Sequence, residues 1–312
     1  MNKMKILIIG ANGFIGKHLR EYFTKNSTYT LLTPSSKELN ISQEDSVDAY
    51  MEAHKPDIII NCANRGGGRD SGNENIVHEN LRMFFNIIKH SDKVSKIIHF
   101  GSGAEYSKHK PIVDVKEEDA DLAIPLDEYG FYKSVCSKFI EKSDNNLNLR
   151  IFGCYGEYEN YEFKFISNAI VKNLLHLPIT INKNVFFDYI YVDDLVKIVD
   201  NFLHHDSKHK VYNLTTGKKI DLITLAHLIN ETSDFTSEIK IINDGLNNEY
   251  TSNNSRLMNE INTFEFTSHR TAIREMRNYY ASILDTIDRE KIEADPYLKL
   301  CTTFWNKHEE KE

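Results

Sequence analysis

One stretch constrains the fold of this chain more than any other: KILIIGANGFIGKHLREYF, residues 5–23. Residues 5–10 are a compact apolar, β-branched run ending in glycine, which reads as a strand buried on both faces, as in a parallel sheet. Residues 14–23 follow with Phe14, Ile15, Leu19 and Phe23 on one side, the spacing of an amphipathic helix. Gly10, Gly13 and Gly16 stand between the two. Gly10 permits a tight turn, Gly13 lets the backbone approach a pyrophosphate, and Gly16 lets helix and strand pack closely. A helix N-terminus with free N–H groups favours an anion there. Strand, glycine turn and helix together predict dinucleotide binding, with Gly10, Asn12, Gly13, Phe14, Ile15 and Gly16 as contacts.

The rest of the first half keeps the same rhythm. Strands are expected at 29–33, 57–63, 96–102 and 147–153, and helices at 44–54, 74–90 and around 129–133. Strand and helix alternating in this way build βαβ units with right-handed crossovers. The fold class expected is therefore α/β, a doubly wound parallel sheet. After about residue 155 the rhythm loosens.

Composition narrows the possible partners. The 312 residues are 40% hydrophobic and 11% aromatic, enough for a sizeable core. The formal net charge of −8 argues against nucleic acid, which calls for a basic face. Cys62, Cys136, Cys154 and Cys301 are scattered without metal-ligand spacing, as reduced thiols of the cytoplasm are. No apolar run approaches the ~20 residues of a membrane span, and no cleavable leader is visible at the start. A soluble, cytoplasmic protein without a metal is expected. The histidines of FLHHDSKHK (202–210) read as surface beyond a helix end, and an aspartate of VDDL (192–195) as a helix N-cap.

The chemistry centres on DEYGFYKSVC, residues 127–136. Tyr129 and Lys133 are four apart, so they share a helix face. A free phenol, with a pKa near ~10, is a poor proton donor at neutral pH, and an adjacent ammonium brings such a group toward the working range. Ligands of open α/β sheets bind at the C-terminal strand ends. HFGSGAEY (99–106) supplies Ser102 there. Ser102, Tyr129 and Lys133 are the expected catalytic residues. At the end of the second strand, LLTPSSKELN (31–40) has no acid at positions 33–36. Ser35, Ser36 and Lys37 stand instead where a ribose 2′-phosphate would lie, which favours NADPH over NADH.

This constellation resembles the short-chain dehydrogenase/reductase superfamily in its extended, nucleotide-sugar-modifying form, the NAD-dependent epimerases and dehydratases. GANGFIG is similar to that family's glycine motif, and NCAN (61–64) sits where its third strand ends. LRIFGCYG (149–156) is similar to LRxxNxYG, with Gly153 in place of Asn. FFDYIYVDDL (186–195) resembles RDFIHVDDL, with Phe187 where Arg is common. VYNLTTGKKIDLITLAHLI (211–229) resembles the segment that opens the cap domain's helix.

The resemblance implies a Rossmann domain over residues 1–160, to which 186–213 return. It also implies a smaller mixed C-terminal substrate-binding domain, mainly 161–312. Further cofactor contacts follow from it at Asn40, Ile41, Cys62, Ala63, Asn64 and Asn80, besides Tyr129 and Lys133. Substrate contacts follow at Ser102, Gly103, Ala104, Lys164, Lys172 and Phe187. A homodimer helix bundle would take Phe131 and Tyr132.

Within the family, SSKELNISQED and NRGGG (64–68) resemble stretches of the GDP-fucose synthases, which reduce a 4-keto nucleotide sugar with NADPH after epimerising it. Ala104 and Lys164 fall on that group's epimerase Cys and His positions. The expected activity is thus reduction of a nucleotide-diphospho-4-keto-6-deoxy sugar without epimerisation. The alternatives are an epimerase with tightly held NAD(H) and a catalytically silent cofactor-binding regulator.

Overall fold

The computed structural model describes residues 3–66 and 76–309. Gly67 and Gly68 of the NRGGG stretch, the first two residues of the helix expected from 74, and the end of the charged tail lie outside them. The first half contains β1 (Met4–Ile9), α1 (Phe14–Thr24), β2 (Tyr29–Leu32), α2 (Glu44–His54), β3 (Ile58–Asn61), α3 (Ile76–Ile88), β4 (Lys96–Ser102), β5 (Ile112–Val115), α4 (Glu128–Glu141) and β6 (Asn146–Ile151). The second half contains β7 (Gly153–Tyr155), α5 (Phe165–Leu174), β8 (Ile179–Asn184), β9 (Phe186–Tyr191), α6 (Val192–Leu203), β10 (Val211–Leu214), β11 (Lys219–Asp221), α7 (Leu222–Glu231), β12 (Ile239–Leu246), β13 (Tyr250–Ser252), α8 (Ser255–Ile261), α9 (His269–Ser282), α10 (Arg289–Glu293) and α11 (Pro296–Glu309).

Six strands form one parallel sheet in the order β10-β6-β4-β3-β1-β2. It is the doubly wound, Rossmann-like sheet expected from the alternation. Its strands are mainly apolar because both faces are covered. Leu19 and Phe23 of α1 pack on one face with Leu195, Val199 and Phe202 of α6. Met51 of α2, Phe84 of α3 and Cys136 and Ile140 of α4 pack on the other. A third core lies outside this sheet, where α5, α7 and α9 bring Ile170, Leu225 and Met276 together. A smaller sheet runs β11-β9-β13-β5, with β7 beside β9, and β12 pairs with β8.

The run expected as one strand over 147–153 is divided. β6 ends at Ile151 in the large sheet, and β7 starts at Gly153 against β9. Glycine serves the crossing, since a Cβ at 153 would lie 2.7 Å from the Tyr189 ring. No aspartate of VDDL caps α6. The cap residue is Tyr191, and the buried Asp194 accepts bonds from Thr267 N at 2.6 Å and Thr267 Oγ1 at 2.8 Å. It ties the chain before α9 to the helix. Tyr132, expected at a subunit contact, is 2% exposed in the core and donates to Asn64 Oδ1, whereas Phe131 is 39% exposed.

Candidate active site

The glycine turn is a cradle that a larger side chain would fill. Gly10 has φ +77°, and a Cβ there would lie 3.0 Å from Ala63 N. A Cβ at Gly16 would fall 2.2 Å from Gly10 O, so α1 packs directly on the turn. Among the described residues, a Cβ at Gly13 meets only Gly10 O, at 3.4 Å. Gly13 caps α1 with no side-chain bond and no acid follows in the first turn, which leaves the N–H groups to an anion. The turn therefore fits a dinucleotide's pyrophosphate. Asn12 is exposed and accepts from Arg20 at 2.8 Å.

Ser102 ends β4 in an extended conformation and starts a 3₁₀ turn over Gly103–Tyr106. Its Oγ accepts Ala104 N at 3.1 Å, and its backbone N donates to Glu105 Oε1 at 2.9 Å. Glu105, 0% exposed, takes Arg150 Nε on its other oxygen at 2.6 Å. Arg150 is itself buried and also donates to the Tyr106 hydroxyl, Ser137 Oγ and Glu117 O. Buried charges persist only when paired in this way. Glu105 thus anchors the strand end and is closed off from any substrate.

Helix α4 starts at the cap Asp127, whose Oδ1 accepts Gly130 N at 2.9 Å. One turn apart on it, Tyr129 is half-buried and Lys133 is buried. Lys133 Nζ donates to Phe100 O at 2.5 Å and lies 5.9 Å from the centre of the Tyr129 ring. Burial, and next the Lys133 charge, push His99 well below its ordinary pKa, so its ring is neutral and faces Asn61. A second ammonium, Lys108, lies 5.2 Å from the Tyr129 ring on the solvent side.

Ser102, Tyr129 and Lys133 line one cleft of about 700 Å³. Phe14, Ile15, Cys62, Ala63 and Asn64 from the expected cofactor contacts line it too, with Lys164 and Phe187 from the expected substrate contacts. Other expected residues stand elsewhere. Lys172 is 3% exposed, bonded to Thr180 Oγ1 at 2.6 Å and paired with Asp295 at 2.8 Å, so its charge is spent inside the fold. Gly103 and Ala104 lie behind the wall, Gly103 against Tyr250 and Phe152, and Ala104 at 0% exposure. Ile41 is in the core, Asn40 accepts Ser42 N in a local turn, and Asn80 spends its amide on Arg65 and Ile76 backbone. Asn80 shapes the loop after β3 rather than the cleft wall.

Ser35, Ser36 and Lys37 lie beyond β2, off the cleft wall. Glu38, six residues after the last residue of β2, folds back so that its carboxylate accepts both Ser35 N and Ser35 Oγ at 2.8 Å. Those two bonds hold its pKa below the usual range. Positions 33–36 carry no acid, and the Glu38 carboxylate reaches back to Ser35 from the turn that follows.

Sequence reasoning also missed Lys108, Lys110, Phe152, Cys154 and Tyr250 on the cleft wall. Lys108 and Lys110 follow HFGSGAEY, and Phe152 and Cys154 lie within LRIFGCYG. Tyr250 arrives from a segment without a motif, and no local signal marks it.

The open α/β sheet, the glycine turn and the Ser–Tyr–Lys set define a nicotinamide-dependent enzyme class. Residues 6–215 match the NAD dependent epimerase/dehydratase family, and the chain belongs to it. Among its relatives, GDP-L-colitose synthase of Yersinia pseudotuberculosis is 26% identical over 219 residues, 63% of this chain and 71% of the relative. A solved GDP-L-fucose synthetase from Naegleria fowleri bound to NADP superposes with a TM-score of 0.80 at 17% identity, over 92% of this chain and 95% of that one. The NADP-bound GDP-mannoheptose C4 reductase of Campylobacter jejuni gives 0.76 at 20% identity, over 90% and 99%. Both solved structures share the fold.

Proposed function

We propose that this protein reduces the C4 ketone of a nucleotide-diphospho-4-keto-6-deoxy sugar with NADPH, on the way to surface-polysaccharide sugars. The observation that carries the reading is the convergence of Ser102, Tyr129 and Lys133 on one cleft that also receives the start of α1. The names of the relatives favour a GDP-linked hexose or heptose.

NADPH, when bound, supplies the hydride. The glycine turn would hold its diphosphate, and Lys133, anchored on Phe100 O, would hold its nicotinamide ribose. Tyr129 delivers a proton to the carbonyl oxygen as charge develops there, and Ser102 donates a hydrogen bond to the same atom. The Lys133 ammonium offsets the charge left on the phenolate. Solvent then returns a proton to Tyr129. Lys164 and Phe187 contact the sugar or its diphosphate.

Epimerisation at C3 or C5 needs one group to take a proton and another to return it from the opposite face. Ala104 is buried and carries no such group. Lys164 lines the cleft, but alone it is one group where two are needed. Cys154 also lines it, and burial pushes that thiol well above its ordinary pKa, away from the thiolate. The product therefore keeps its substrate's C3 and C5 configuration. The reading includes a homodimer joined through the outer faces of α3 and α4, where Phe85, Phe131 and Phe139 are exposed.

The test is NADPH oxidation against a panel of 4-keto nucleotide sugars, run in D₂O with NMR of the product. Turnover with protium at C3 and C5 is expected. Deuterium entering either carbon at the rate of turnover would show that the enzyme epimerises.

A further inference from the structure

The cleft is cationic although the chain as a whole carries a formal charge of −8. Among the described residues its charged lining is four lysines, Lys108, Lys110, Lys133 and Lys164, and two glutamates, Glu159 and Glu249. Both glutamates are engaged. Glu249 pairs with Lys219 at 3.1 Å and accepts Thr251 Oγ1 at 2.7 Å, and the buried Glu159 accepts Ser167 Oγ at 2.5 Å. Lys133 is bonded to Phe100 O. The positive charge left for a ligand is therefore that of Lys108, Lys110 and Lys164.

The first two of these stand on the short loop that joins the 3₁₀ turn after β4 to β5, and the loop is tied at both ends. Ser107 N donates to Ala104 O at 3.2 Å, and Ile112 N donates to Glu249 O at 2.8 Å. Ser107 has φ +69°, a left-handed conformation that a serine keeps only where its surroundings fix it. Its Oγ is hydrogen-bonded to His109 Nε2 at 2.8 Å. His109 is thus turned back onto the loop, while the lysines on either side of it line the cleft. Lys108 lies 3.8 Å from Asp127 Oδ1, but the two side chains are 47% and 39% exposed, and such a pair holds its charges weakly. Lys110 is exposed. Two ammonium groups on one fixed arc suit an anion whose charge is spread over two phosphates.

We propose that Lys108 and Lys110 grip the diphosphate of the sugar nucleotide, and that this loop selects a nucleoside diphosphate over a monophosphate. The proposal rests on the reductase reading for the kind of substrate and adds two specificity-determining residues to it.

Calorimetric titration of the enzyme saturated with NADP⁺ tests this, using GDP, ADP, CDP, UDP and dTDP and the matching monophosphates. Wild type should bind its best diphosphate about tenfold more tightly than the monophosphate of the same base. The double variant Lys108→Ala, Lys110→Ala should weaken that diphosphate about tenfold, the order expected of two charge-assisted contacts at an exposed site, and the monophosphate less than about threefold. Its NADP⁺ dissociation constant should stay within about twofold of wild type, which also reports that the variant is folded. Lys108→Arg with Lys110→Arg should restore most of the preference, and added salt should weaken the diphosphate more in wild type than in the double alanine variant. An unchanged diphosphate constant in the double alanine variant, or equal losses for diphosphate and monophosphate, would overturn the proposal. Wild type that binds none of the five diphosphates would overturn it too. In turnover of the best panel substrate the loss should fall on KM. A loss confined to kcat would also overturn the proposal, because Lys108, 5.2 Å from the Tyr129 ring, would then act on the catalytic phenol. If the diphosphates bind as expected but wild type turns over no panel member, the reductase reading falls alone and the diphosphate site stands.

Discussion

The two walls of the cleft are built in different ways. One is the end of β4 with the first turns of α4, where Ser102, Tyr129 and Lys133 lie within 32 positions of one another in sequence. The other gathers Lys164, Phe187 and Tyr250 from the start of α5, from β9 and from β13. Regular backbone places the first set. A strand end fixes one residue, a four-residue helical spacing fixes the other two, and the buried Glu105–Arg150 pair locks the strand end. Tertiary packing alone places the second set. The first wall should therefore carry the chemistry and the second the choice of substrate.

The largest expected effect lies on the first wall. Tyr129→Phe should lose ~10²–10⁴-fold in kcat, the usual cost of a missing general acid, while NADPH affinity is retained. Steady-state kinetics and calorimetry on the same preparation check this. Near-wild-type turnover would remove Tyr129 from the mechanism and erase the contrast between the walls. Lys133→Ala should lower both turnover and cofactor affinity.

Two lysines of α5 and its cap sharpen the comparison. Lys172→Ala strands the Asp295 carboxylate, and breaking a buried pair costs about 3 kcal/mol, read as a lower denaturant midpoint with KM unchanged. Lys164→Ala removes an exposed cleft cation, so it should raise KM for the sugar nucleotide several-fold and leave the midpoint in place. An exchange of the two phenotypes would show that the substrate's diphosphate lies near Lys172 after all.

Asp188, under the second wall, gives a pH signature of similar size. Burial raises its carboxyl from 3.8 to about 6 despite bonds from Thr216 N, Thr216 Oγ1 and Gly217 N. The folded protein then binds more protons than the unfolded chain between those values. This group's contribution is full below about pH 4 and declines by up to about 3 kcal/mol as pH rises through 6. Urea midpoints from pH 4 to 7 should show a component with that slope, absent in Asp188→Asn. An identical slope in both proteins would remove Asp188 as its source.

The smallest effect concerns the cofactor. Glu38→Ala frees Ser35 N and Oγ and removes a carboxylate from the turn after β2 where a ribose 2′-phosphate is expected, so the ratio of NADPH to NADH affinity should rise several-fold. An unchanged ratio would mean that this loop turns away from the ribose.

The same contrast explains what was legible in the sequence. The parallel sheet follows from β-branched runs at a regular interval, and α2 and β4 have the expected bounds, because buried strands and helices carry their periodicity locally. Ser102, Tyr129 and Lys133 are readable for the same reason. Lys172 was misplaced because sequence does not show that Asp295, far along the chain, takes its charge. The place of Glu38 was not legible because a turn over Ser35–Leu39, not linear distance, decides where its carboxylate goes. Tyr250 was invisible because its position depends on β13 pairing with two strands from distant parts of the chain.

The most direct test of the central claim follows the hydride itself. NADPH carrying deuterium at its transferable nicotinamide position is incubated with wild-type enzyme and the 4-keto nucleotide sugar that best supports NADPH oxidation, and the product is read by NMR. One deuterium at sugar C4, with its appearance abolished by Tyr129→Phe, is the predicted result. Product without deuterium at C4, or no NADPH oxidation with any 4-keto nucleotide sugar, would contradict the account.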